Sequence, residues 1–175
     1  EKMKKIIVMS IVASLTFAAQ VTKEASINLE QKSNELHMVL DSDKSVYGIQ
    51  FDVKYDPAKI KLTEDKINHM FAGSDSRANM SVYSKVKEPG VARVIMFDLG
   101  GNALLSSGAE KVISIAYDVV DNYSGSFAIE IDNIVAAGEH GVEVTTQESY
   151  SMHGNTLDSD NPFNTVPGVT EIKGN

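Results

Sequence analysis

Histidines, paired carboxylates and an acidic turn are the residues of this chain whose types could carry chemistry. His37, His69, His140 and His153 are scattered, and no two stand at the i, i+4 spacing of a helical zinc site. Glu130 and Asp132 fall two apart in FAIEID, which puts both on the outward face of a strand, near the separation of a glycosidase acid and nucleophile. Alternating charge is how a solvated strand face is ordinarily written, which favours a wet face over a catalytic pair. The acidic stretch DSDKSVYG opens like a helix-loop-helix calcium loop, but its glycine comes at the eighth position where that loop needs it at the sixth. LGGN at 99–102 opens no helix and brings no Lys-Ser/Thr, so it is a turn and not a phosphate cradle. There is no G-x-S-x-G elbow and no cysteine. The expectation is a protein with no catalytic residue, no metal and no cofactor, whose function is to bind rather than to react.

The elements that would position a binding surface are strands. SINLE, ELHMVLD, YGIQFDVKY, KIKLT, MSVYSKV, ARVIMFDL, KVISIAYDVV, SFAIEIDNIV and VEVTT alternate apolar and polar side chains between turn residues. Only TEDKINHMFAG has a helical look, with Ile67, Met70 and Phe71 at i, i+3, i+4 and Gly73 as a stop. About nine strands without alternating helices predict an all-β fold, an antiparallel two-sheet β-sandwich of jelly-roll type. From Ser151 the alternation fades into a stretch rich in Asn, Gly, Pro and Ser, and residues 156–175 read as a tail.

The 175 residues and a net charge of −8 suit one globular domain and argue against a nucleic-acid partner, which would need a concentrated basic surface. Lys2, Lys4 and Lys5 precede the apolar run IIVMSIVASLTFAA, the order of a secretory signal peptide. Thr16 and Ala18 are the small residues of its cleavage site, so residues 1–18 are predicted to be removed and 19–155 to form the domain. As a helix, the run from Ile6 to Ala19 would reach only ~21 Å across a hydrocarbon core of ~30 Å, so membrane contact is expected only during export. The expected place of action is extracellular or at the cell surface.

YGIQFDVKYDPAKIKL, ARVIMFDLGGNALLSSGAEKVISIAYDVV and SFAIEIDNIVAAGEHGVEVTT resemble, in that order, three segments of a cohesin domain. They match an inner strand closing on Tyr-Asp-Pro, a strand entering a Gly-rich hairpin with its apolar return, and a late strand running into an Ala-Gly loop. The resemblance covers about residues 24 to 155 and implies a nine-stranded jelly roll that binds dockerin modules and catalyses nothing. It also implies that polar residues before Tyr-Asp-Pro touch the dockerin; Gly48 and Gln50 hold those positions here, where Asn and Asp are usual. In the tail, NPFN at 161–164 is similar to the opening of the sorting domain of type IX secretion substrates.

Within GIQFDVKYDP, Ile49, Phe51, Val53 and Tyr55 share one side and are expected in the core with Phe97, Tyr117, Phe127 and Ile131. Gln50, Asp52 and Lys54 share the other. RVIMF is apolar on both sides, so it is either covered by a loop or by residues 64–73, or it forms a docking stripe. The expected partner-binding face is therefore Gly48, Gln50, Asp52, Lys54, Arg93 and Ile95. Its partner would be another protein, either a dockerin-like module or a copy of this chain. A rival expectation is a self-assembling subunit of a filament, sheath or surface layer, built by adding terminal strands or the tail to a neighbour's sheet edge. Carbohydrate binding is a more distant alternative, since no tryptophan is present to stack a sugar.

Overall fold

The computed structural model describes residues 23–71 and 79–156. The strands in chain order are β1 (Ala25–Lys32), β2 (Glu35–Ser42), β3 (Gly48–Tyr55), β4 (Ile60–His69), β5 (Met80–Glu88), β6 (Val91–Asp98), β7 (Gly108–Val119), β8 (Ser126–Ala137), β9 (Glu143–Val144) and β10 (Tyr150–Asn155). One sheet has the order β1-β2-β7-β4, the other β10-β8-β3-β6-β5 with β9 added to β8, and every pairing is antiparallel. The architecture is the two-sheet sandwich that the alternation predicts. Residues 1–22 and 157–175, which carry the signal-peptide and NPFN expectations, lie outside the described residues.

Alternation becomes burial directly. Ile27, Leu36, Met38, Leu40, Ile113 and Ile115 of the first sheet face Ile49, Phe51, Val53, Val94, Met96 and Ile129 of the second, all buried. Tyr117 meets Phe127 edge-on across the sandwich, ring centres 5.1 Å apart at 62°, a geometry that aligns ring edge with ring face. Tyr55 is only half-buried and packs at the margin of this core. Phe97, expected inside, points outward and is half-buried: Met96 and Asp98 take the inward positions beside it.

Two elements differ from the sequence reading. Residues 63–69 do not form a helix but continue β4. The register jumps from Leu62↔Tyr117 to Ile67↔Ile115, so four residues of β4, 63 to 66, stand opposite Ala116 alone. This wide bulge interrupts the period of two and leaves Ile67, Met70 and Phe71 at a spacing that imitates a helix. β10 lies where the alternation fades. Its inward positions are Met152 and Gly154, and Gly154 carries no side chain because Phe127 fills the space: an added Cβ would come within 2.4 Å of the ring.

The sandwich is fastened along both sides by side chains. On one side, the Gln147 carboxamide accepts from Ile27 N at 3.0 Å and donates to Ile27 O at 2.6 Å, taking the place of a neighbouring strand. Gln31 does the same for Asn155, donating to its carbonyl at 2.9 Å and accepting from its amide at 3.0 Å. On the other side the β4 bulge reaches β5: Ser84 Oγ donates to Glu64 O at 2.7 Å and Val86 N to the Glu64 carboxylate at 2.6 Å.

Candidate functional site

The outward face of the β8-β3-β6-β5 run has a polar half and an apolar half. Asp52 opposes Arg93 on β6 and Asp132 on β8. Arg93 grips its carboxylate with two bonds, Nε to Oδ1 at 2.7 Å and a terminal nitrogen to Oδ2 at 2.8 Å, the fork geometry that makes arginine pairs strong. Asn133 donates to Oδ2 at 3.0 Å, and Lys87 of β5 lies 3.4 Å away. Asn133 reaches the carboxylate because it sits in a β8 bulge with a left-handed backbone (φ 51°), which asparagine tolerates. The Arg93 hydrogen bond leads in holding the Asp52 carboxyl well below the usual range, from 3.8 to about 2; Asn133 and the nearby charges of Arg93 and Lys87 add to it against the cost of burial. Lys54 pairs with Asp132 beside this cluster.

Asp52 thus lies on the expected face yet is only 1% exposed, with its oxygens occupied. It differs from the expectation of a carboxylate offered to a partner, since its acceptor sites are spent inside the molecule. Arg93 and Lys54 are accessible but engaged in the same network. Gly48, Gln50 and Ile95, the remaining members of the expected set, are half-buried and open to contact.

The apolar half lies two to five residues further along the strands. Val135, Gln50, Ile95 and Tyr83 stand in one row across β8, β3, β6 and β5, and Ala137, Gly48, Phe97 and Ser81 in the next. Tyr83 is 54% exposed and Val135 52%. Tyr83 stacks on Phe97 with ring centres 5.6 Å apart at 19°. The β4 bulge that would have covered this stripe turns instead to the β5 edge. Tyr83, Val135, Lys87 and Asn133 were not among the residues singled out from sequence, and Phe97 was placed in the core. The alternation of MSVYSKV could have supplied Tyr83, and the two successive polar residues in IDNIV mark the bulge that presents Asn133 and Val135.

A shallow, internally neutralised sheet face offers surface contact and no enclosed chemistry, the design of a protein-interaction module. A family model for the cohesin domain matches residues 35–154, and the chain belongs to this family. Its fold is similar to the cohesin module of a family 33 glycoside hydrolase from Clostridium perfringens, at 16% identity and TM-score 0.59 over 77% of this chain and 97% of that one. It is also similar to a cohesin from Clostridium acetobutylicum, at 13% identity and TM-score 0.56 over 74% and 89%. A third likeness is the type I cohesin of a cohesin–dockerin complex from Clostridium thermocellum, at 11% identity and TM-score 0.54 over 77% and 95%. A search of curated proteins returns no match to this sequence.

Proposed function

We propose that this protein is a non-catalytic docking module that works outside the cell, holding another protein through the outward face of β8-β3-β6-β5. The observation that carries the reading is the row of exposed Val135, half-buried Ile95 and exposed Tyr83 with Phe97 behind it, beside a charge cluster that asks nothing of a partner. Exposed aromatic and aliphatic side chains grouped on a sheet are where contact energy concentrates, and a neutralised polar border fixes orientation. Family membership supports a dockerin-like module as the partner, and related cohesins have been solved in complexes with dockerins. Export through the residue 1–18 signal supports the extracellular placement; N-terminal sequencing of exported protein should find a chain starting at Ala19.

The test is affinity capture from the secreted proteins of the source cell, compared with an Ile95→Asp variant. The partner is expected to carry paired calcium loops, to be released by a chelator, and to be lost from the variant while the melting temperature is unchanged. Capture that survives Ile95→Asp would move the site off this face. Assembly by strand addition has less support: on β1 the outward groups of Ala25 and Ile27 are taken by Thr145 and Gln147, and on β5 Glu64 takes Val86 N.

A further inference from the structure

Gly48 is a glycine that its own fold does not require. Its backbone is outside the left-handed region, and an added Cβ would meet Met96 O at 3.6 Å and the Phe97 Cβ at 3.7 Å, ordinary contact distances. Its missing side chain leaves a notch on the outer face between Phe97 on β6 and Ala137 on β8. Two strands away on the same face stands a knob, Tyr83, more than half exposed and held upright against Phe97. A knob and a notch on one surface are what a two-fold contact needs, because each copy then supplies both halves of the fit.

Charge selects the occupant. The chain carries −8 overall, so most of its surface repels a second copy. This face is the exception. Its outward side chains set Lys54, Lys85, Lys87 and Arg93 against Asp52, Glu130 and Asp132, and the central ones are already paired with one another. Two such faces can approach without like-charge repulsion and without stripping a free ion of its water.

We infer that the protein pairs with itself through this face, Tyr83 of each copy seated over Gly48 of the other. Four strands at ~4.8 Å spacing make a narrow contact, below the ~800 Å² per partner typical of stable complexes, so the dimer is weak and depends on concentration. Its consequence is masking: pairing covers the surface that the proposed docking function uses, so crowded copies withhold it and dilute copies offer it.

Sedimentation of the full chain from micromolar to millimolar concentration tests this. The wild type is expected to move from monomer toward dimer. Gly48→Gln, which fills the notch, and Tyr83→Ser, which removes the knob, should each weaken association at least about tenfold with unchanged thermal melting. A wild type that stays monomeric throughout overturns the inference. So does association that both variants retain, which would assign it to another part of the chain. Neither result bears on docking of a different protein, which Ile95→Asp capture reads separately.

Discussion

Asp52 shows how a side chain can be assigned to the right face and the wrong environment. Its outward direction follows from alternation alone, but its burial depends on Lys87, Arg93 and Asn133, which lie 35, 41 and 81 residues away and meet it only after three strand pairings. Its depressed pKa makes it a source of stability that is complete above about pH 4 and is lost as the pH falls toward 2, worth about 2 kcal/mol. Asp52→Asn should therefore be about 2 kcal/mol less stable than wild type in urea unfolding at neutral pH, with the gap closing under acid. Reversing its charge would leave Arg93 facing another cation, so it would report on folding before binding. Phe127 and Gly154 form a second pair legible only in three dimensions. Phe127→Ala should cost ~3–5 kcal/mol through the cavity it leaves, and Gly154→Ala ~1–3 kcal/mol through overpacking. Because the added methyl of the second occupies the space vacated by the first, the double variant should cost less than the sum in the same unfolding assay.

Elements were legible where the alternation was regular and hidden where packing altered it. GIQFDVKY and SFAIEID declare their inward sides because each inward position holds an apolar side chain. β4 imitated a helix because residues 63–66 leave the ladder to fasten β5, and β10 fell silent because Phe127 claims the volume a side chain at 154 would need. The outer face of β6 could be read as apolar but not as exposed, since exposure depends on where the β4 bulge goes. The side seams are a further device that sequence conceals, as glutamine is among the least informative residues for strand pairing. Gln147→Ala should remove both bonds to Ile27 and cost about 1–2 kcal/mol. Hydrogen exchange at the Ile27 amide is expected to accelerate more than at Leu40, its partner across the ladder to β2, which keeps its backbone bonds.

For the whole molecule, the two-sheet sandwich followed from periodicity, whereas the chemistry of the face proposed for docking did not, because it is assembled from four strands that meet only in the folded sheet. A face with an apolar row beside a closed charge cluster should bind with little sensitivity to salt, since few free charges are screened on contact. Titrating sodium chloride into the captured complex is expected to leave affinity within about threefold, while Tyr83→Ser should lower it by more than tenfold.

The Gln31 clasp on Asn155 joins positions 124 residues apart, nearly the first strand to the last. Sandwiches closed by such distant contacts form slowly, on the order of milliseconds to seconds, because a long loop must be gathered before any of its contacts repay it. Here the delay has a direction. Phe127 has no lid, and the Gln31 end of β1 no clasp, until the residues of β10 have been delivered. A ribosome that still holds Tyr150 to Asn155 therefore holds a sandwich that cannot yet close along this seam.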